Sequence, residues 1–378
     1  MKIAFISTRG IPNNYGGFEQ FAEYISIGLV SRGHEVVVYT PHFHPYKDEE
    51  FKGVKIKRIY SPELWLGGSI GSFFYDFFSL RDAIKNENFD IIYEAGYTSI
   101  IPAFIWFNIK KFKKSIVITN MDGLEYKRTK FNPLVQKFVF WEEKQAVKHS
   151  HYLISDNLGI QEYYKEKYNR DSKFLAYGAK VVEDFSIEDL NEYNLQLDNY
   201  YLIIARLEPE NNIETVIQGY IQIHKKLFKP LVIIGKLNTK HGKYLYKKYS
   251  EYQNVIFLDG IYDFDKLNSL RYYSSFYFHG HSVGGTNPSL LEAMASKSFI
   301  VAHDNIFNKS VLKDNAIYFN NSEDVSSILL DEVNLTTKVK SAFLEENLKE
   351  ISSKYSWDNL VIEHEEYFDE ILNEKITL

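Results

Sequence analysis

The 378-residue chain contains no cysteine. Disulfides, thiolate zinc sites, iron–sulfur clusters and cysteine nucleophiles are therefore excluded from its chemistry. It also lacks an apolar run of the ~18–20 residues that a bilayer-spanning helix needs. The longest candidate, 99–109, is interrupted by Pro102 and Asn108. The opening MKIAFIST has neither a long apolar stretch nor a small-residue cleavage site, and reads as a strand beginning at residue 2 rather than a secretion signal. Positive charge is not in excess. The formal net charge of −6 argues against a general nucleic-acid binder. No GxGxxG follows a strand with an acidic residue ~20 positions later, and there is no Walker A loop, which argues against a dinucleotide dehydrogenase. What remains is a cytoplasmic protein, or one lying peripherally on the inner face of the cell membrane.

Hydrophobic residues make up 45% and charged residues 25% of the chain, values of a globular protein with a sizeable core. The length suggests two domains of similar size. Aromatics reach 16%, with 29 Tyr and 28 Phe, a surplus suited to flat or ring-shaped ligands or to a lipid interface. Charge is unevenly spread. Residues 1–180 carry 25 Lys and Arg against 20 Asp and Glu, and residues 181–378 carry 19 against 30. The two halves are thus expected to face different partners.

Short apolar runs alternate with helical patterns. Strands are expected at 2–7, 35–39, 55–59, 91–94, 115–119 and 152–155, and a helix at 17–32 with Phe18, Phe21, Ala22, Ile25 and Leu29 on one face. The pattern then restarts, with strands at 200–205, 231–235, 255–258, 275–278 and 299–302. Continuous apolar strands separated by helices predict parallel sheets buried on both faces. The join lies near 172–199, where the chain turns polar and acidic, and residues 357–378 read as a long amphipathic helix. The expectation is an α/β protein of two doubly wound domains, with ligands at the carboxyl ends of the strands in a cleft between them.

Four strand-end segments carry residue types suited to phosphates and sugars. In RGIPNNYGGFE (9–19), Gly16 and Gly17 stand where a helix begins; amides and the helix dipole attract an anion there, although a tight turn explains the same pair. In ARLEPENN (205–212), Arg206 ends an apolar strand. Its guanidinium suits a diphosphate, because it forks onto two oxygens and stays charged; the plain alternative is an ion pair with Glu208 or Glu210. The most specific segment is HGHSVGGTNPSLLEAMA (279–295), a glycine-rich turn leading into a helix near Pro288. The amides of Gly285, Thr286 and Asn287 suit a phosphate, and Glu292, one turn in, suits nucleotide hydroxyls. In TNMDGLEYKR (119–128), Asp122 and Glu125 suit sugar hydroxyls and Lys127 and Arg128 suit anions, with a simple Asp-Gly turn as the alternative. The loop YEAGY (93–97), with Glu94, is similar.

Other patterns are weaker. The DxD at 263–265 opens a helix, so capping explains it better than metal binding. His279 and His281 point to one face of a strand but have no third ligand at plausible spacing for zinc. Residues 104–114 mix aromatics with four lysines, which suits either an anionic membrane surface or a core helix with a basic end.

ARLEPENN followed by GTNPSLLEAMA resembles the retaining glycosyltransferases of family 4, which have the GT-B fold of two Rossmann-like domains facing a central cleft. IPNNYGGFEQ, MDGLEYKR and HSVGGTNPSLLEAMA resemble, more narrowly, a bacterial subgroup that includes rhamnosyltransferases of capsule and cell-wall polysaccharide assembly. The resemblance implies an acceptor-binding domain at 1–175, a nucleotide-sugar domain at 176–355, and a helix at 356–378 packing back on the first domain. It implies Arg206 on the donor diphosphate, Glu292 on the ribose as the second glutamate of an E-x7-E motif, Gly16 and Gly17 in a flexible loop near the diphosphate, and Asp122 in the loop meeting the reacting sugar. Lys236, Tyr262, Gly285, Thr286 and Asn287 complete the expected donor set, and Tyr15, Glu94, Glu125 and Arg128 join Asp122 on the acceptor side. The expected catalytic residues are Arg206, Asp122 and Glu292. No metal or cofactor is implied beyond the co-substrate, a dTDP- or UDP-sugar, and the acceptor is a lipid-linked saccharide. Two positions depart from the family pattern. Gly284 stands where the first glutamate belongs, and Asn211 where a lysine belongs. A sugar-nucleotide epimerase and a non-catalytic nucleotide-sugar-binding subunit are the alternatives.

Overall fold

The computed structural model describes residues 1–14, 16–129, 131–226, 228–335 and 337–377, with only the backbone described at 69 and 375–377. The chain forms two compact units. Unit 1 comprises Met1–Tyr126, Phe131–Tyr177 and Trp357–Leu378; unit 2 comprises Lys127–Lys130 and Gly178–Ser356.

Unit 1 is built on strands β1 (Lys2–Ile6), β2 (Glu35–Pro41), β3 (Glu50–Phe51), β4 (Val54–Ile59), β5 (Ile91–Glu94), β6 (Ile116–Asn120), β7 (Tyr152–Ser155) and β8 (Lys173–Phe174). Their order in the sheet is β3-β4-β2-β1-β5-β6-β7-β8. All neighbours are parallel except β3, which turns back on β4. Ala4 pairs with Val37 on one side and Ile92 on the other. The central strands are buried on both faces, which is why they read as unbroken apolar runs. Unit 2 holds β9 (Tyr201–Ile204), β10 (Leu231–Ile234), β11 (Val255–Leu258), β12 (Phe276–His279), β13 (Ile300–His303) and β14 (Ile317–Phe319), in the all-parallel order β11-β10-β9-β12-β13-β14. Both sheets run outward in two directions from their first strand, the doubly wound arrangement of a Rossmann-like domain. The winding reverses between β1 and β5 in unit 1, and between β9 and β12 in unit 2. A crevice opens at the carboxyl ends of the strands at each such reversal.

The expected strands form within a residue or two of their expected ends. β3, β8 and β14 were not expected from the sequence; each has only two or three residues, too few for an apolar run to stand out. The Gly17–Ser31 helix buries Phe21, Ala22, Ile25 and Leu29. The Trp357–Thr377 helix crosses it within unit 1. Trp357 stacks on Tyr24 at 4.5 Å between ring centroids, and Val361 fills the space where a Gly28 side chain would stand. Glu365 accepts from His34 Nε2 at 2.7 Å and pairs with Arg32.

Candidate functional site

In unit 2 the two loops at the winding reversal are laced together. Asn211 donates from Nδ2 to the carbonyl of Arg206 (2.6 Å), and its Oδ1 meets His281 Nδ1 at 2.7 Å. Asn212 Nδ2 donates to the carbonyl of Gly280 (2.8 Å), and Ser282 donates its amide and hydroxyl to the carbonyl of Glu210 (3.0 and 2.8 Å). The loops approach so closely that a Cβ at Gly280 would lie 2.0 Å from the Asn211 carbonyl oxygen. Gly284 has φ of +132°, and a Cβ there would meet His281 Nε2 at 2.9 Å. The two departures from the family pattern are therefore one structural unit. The Asn211 amide holds the imidazole of His281, and the imidazole takes up the room beside Gly284.

Arg206 stands exposed at the end of β9, with no ion pair or side-chain hydrogen bond among the described residues. The alternative of a pair with Glu208 or Glu210 is not what the structure shows. Glu210 is buried and accepts instead from Thr129 Oγ1 at 2.6 Å. Lys236, at the end of β10, lies 5.0 Å from the ring of the exposed Tyr262. Tyr262 raises its pKa, through a hydrogen bond first and charge second.

The Pro288–Ala295 helix starts as the sequence suggests. Asn287 caps it, accepting from Ser289 N at 2.9 Å. Gly285 and Thr286 are buried, so the expected open amides narrow toward the half-buried Asn287. Glu292 has company that the sequence reading missed. Arg271, only 1% exposed, donates from Nη2 to Glu292 Oε2 at 2.5 Å and from Nη1 to Asn268 Oδ1 at 3.1 Å. Glu292 keeps 22% side-chain exposure, and its Oε1 has no hydrogen-bond partner among the described residues. One carboxylate oxygen is thus anchored and the other is left to a ligand. The available signal was a charge on the apolar face of the Phe264–Tyr272 helix, beside Leu267 and Leu270.

Both histidines of β12 and its loop are held neutral. Burial lowers the pKa of His279 to about 3. His281 is lowered well below the ordinary value, first by burial and then by His279, Arg128 and Arg206. That coupling places Arg128 near the His281 loop of unit 2. Among the described residues no three His, Cys, Asp or Glu side chains are grouped to hold a metal ion. In the DxD, Asp263 caps the Phe264–Tyr272 helix, accepting from Lys266 N at 3.1 Å.

The remaining candidates sit in unit 1. Tyr15 lies outside the described residues. Gly16 is the N-cap of the Gly17–Ser31 helix with φ of −173°, a conformation open to any residue, so backbone strain does not explain the glycine. Glu19 accepts from Arg9 N at 2.7 Å across the same loop. Glu94 is fully buried and accepts from Gly96 N at 3.0 Å. Burial and the nearby Asp76 push its pKa well above the carboxylate range. Asp122 is half-buried, and Glu125 sits in a short 3-10 turn, Glu125–Lys127. A cavity of about 420 Å³, bordered by His151, Lys173 and Tyr367, lies at the amino ends of β7 and β8, the opposite sheet edge from these loops.

Residues 1–180 match a family described as a domain of unknown function (DUF1972), and residues 187–336 match the family described as glycosyl transferases group 1. Residues 187–336 are a group 1 glycosyltransferase domain. It contains Arg206, Arg271 and Glu292. No curated protein sequence matches the chain. The whole chain is similar in structure to sucrose-phosphate synthase from Thermosynechococcus elongatus, with a TM-score of 0.77, 13% identity and 99% of each chain covered. It is also similar to the HepE protein of Anabaena in complex with UDP, with a TM-score of 0.71, 14% identity, and 98% of this chain and 100% of that chain covered. The catalytic domain of starch synthase IV from Arabidopsis thaliana, bound to ADP and acarbose, gives a TM-score of 0.72 at 13% identity, covering 98% and 99%. These likenesses show the fold, GT-B, with two Rossmann-like domains.

Proposed function

We propose that the protein is a retaining glycosyltransferase that moves a sugar from a nucleoside diphosphate to a hydroxyl of a lipid-linked saccharide, with L-rhamnose from dTDP-rhamnose as the first donor to test. The observation that carries the reading is Arg206, an exposed cation with no anionic partner among the described residues, at the winding reversal of the group 1 glycosyltransferase domain. Structural relatives crystallised with UDP or ADP support a nucleoside diphosphate as the anion that fits there.

In this reading Glu292 Oε1 accepts from the nucleoside's sugar hydroxyl, and Arg271, bonded to Oε2, keeps the carboxylate aimed. The bond from the anomeric carbon to the phosphate oxygen breaks, and negative charge grows on the departing diphosphate. Arg206 stabilises that charge, with Lys236 and Arg128 supplying the cation that Asn211 does not. The acceptor oxygen bonds to the anomeric carbon on the same face. Its proton passes to the diphosphate oxygen, so no protein nucleophile is needed.

The test is a thermal-shift panel with UDP, dTDP, UDP-glucose and dTDP-rhamnose. A ligand at about 100 times its Kd stabilises by roughly 2.7 kcal/mol. Stabilisation by one nucleoside diphosphate and its sugar supports the reading; none by any member sinks it. Incubation with the donor alone separates an epimerase, which would yield a new sugar nucleotide without acceptor.

A further inference from the structure

Unit 1 carries large apolar side chains that stand open on its surface. Trp65 is 76% exposed, Trp106 75% and Leu134 78%. Large apolar side chains this open are ordinary when scattered singly and informative when contiguous. Here the helices that carry them are neighbours, and the Glu63–Leu66 helix of Trp65 packs against the Gly68–Lys85 helix. The Gly68–Lys85 helix packs against the Ile101–Trp106 helix, which packs against the Pro133–His149 helix. Ring contacts join them, Phe77 with Trp106 at 6.4 Å between centroids and Phe73 with Phe138 at 6.0 Å. Phe138 in turn stacks on Trp141 at 5.6 Å.

Charge on this surface has one sign. The stretches 63–74, 101–114 and 133–149 hold three carboxylates. Glu142 and Glu143 are buried, and Glu63 is paired with Arg9. Against them Lys110, Lys111, Lys113, Lys137, Lys144 and Lys148 are all exposed. On the Pro133–His149 helix, Leu134, Phe138 and Trp141 form a stripe at 3-to-4 spacing. Lys137, Lys144 and Lys148 follow the same spacing along one border of it. The other three lysines lie four to seven residues after Trp106 in the chain.

We infer that this face docks on an anionic lipid bilayer, with its tryptophans and phenylalanines at headgroup depth and its lysines on lipid phosphates. Trp at the water–lipid boundary and cations flanking an apolar face are the two features such binding uses. No helix among the described residues is long and apolar enough to cross a membrane, so the mode is lying on the surface. The residues that carry the inference extend well beyond 104–114, the only part legible in the sequence. The inference rests on unit 1 alone and is independent of the donor reading, which nucleotide binding tests separately.

The experiment is flotation of the full chain with vesicles of phosphatidylcholine alone and of phosphatidylcholine containing about one-third phosphatidylglycerol. Three of the four tryptophans lie on this face, the fourth being the buried Trp357, so tryptophan emission reports docking directly. The expected result is flotation with the anionic vesicles and a blue shift of emission. Two variants, Trp65→Ser with Trp106→Ser, and Lys110→Gln with Lys111→Gln and Lys113→Gln, should each bind at least ~10-fold more weakly. Both alter exposed positions, so melting and nucleotide binding should be unchanged. Wild-type protein that stays in the aqueous phase overturns the inference, as does equal binding to neutral and anionic vesicles, or variants that float like wild type. So does a concentration-dependent dimer that Trp106→Ser dissolves without any flotation, which would assign the face to a second copy.

Discussion

Arg206 and Arg271 have the same side chain in the same unit and opposite surroundings. Arg206 is exposed and has no anionic partner among the described residues, so its charge is available to a ligand. Arg271 is buried and already paired, so its charge serves Glu292. Their substitutions should separate accordingly. Arg206→Ala is expected to lower turnover by ~10²–10³, the loss typical of removing one preorganised charge-stabilising donor, with melting little changed. Steady-state kinetics beside a thermal melt checks both halves. Arg271→Met removes the partner of a carboxylate and every hydrogen bond the buried guanidinium donates. It is expected to lose about 3 kcal/mol in urea denaturation and to weaken donor binding as well. Arg206 was legible because a charge closing an apolar strand is conspicuous in sequence. Arg271 was not, since its partner lies 21 residues away and only folding brings the two together.

At the scale of elements, the 206–212 and 280–284 loops are joined at the carboxyl ends of β9 and β12. Gly280 is required by contact with another segment, not by its own backbone angles. Gly280→Ala should push the Asn211 carbonyl away, release the His281 ring from the Asn211 amide, and weaken nucleoside diphosphate binding by at least ~10-fold, equivalent to about 1.4 kcal/mol. Isothermal titration with the nucleotide identified by the thermal-shift panel measures it; unchanged affinity would mean that the two loops are not coupled to the ligand. Reading Asn211 in isolation suggests a missing cation. Seen with its neighbours, it is a buried amide that ties two loops and holds His281, the ring to which Arg128 and Arg206 are coupled.

At the scale of the whole molecule, buried titratable groups set how stability depends on pH. His279 and His364 are neutral in the fold, with pKa values lowered by burial to about 3 and about 4. Below about pH 6.5 the unfolded chain takes up protons that the fold excludes, so these histidines make stability fall with acid. Glu142 acts in the opposite direction. Burial, with Asp76 adding, raises its pKa to about 9. Between the ordinary carboxylate range and pH 9 the folded state holds a proton that the unfolded state does not, so stability falls as pH rises. From pH 6.5 to 9 the histidines are silent, and the slope from Glu142 should be about 1.4 kcal/mol per pH unit. Chemical denaturation across that range should show stability decreasing with pH, and Glu142→Gln should flatten the slope by that amount. A slope unaltered in the variant would show that Glu142 is ionised in the fold.

Periodicity, glycine-rich strand ends and the cysteine count are local properties of the chain. They determined the α/β class, the two sheets, the placing of Arg206 and Gly285–Asn287 in loops after strands, and that of Glu292 in the helix that follows, because a strand buried on both faces must be written as an apolar run and must end in a turn. Tertiary structure alone decided the Arg271–Glu292 pair, the Asn211–His281–Gly284 packing, the burial of Glu94, and the apolar face gathered from separate helices. Each of these joins residues far apart in sequence, and burial and electrostatics depend on distance in space, which no local pattern encodes.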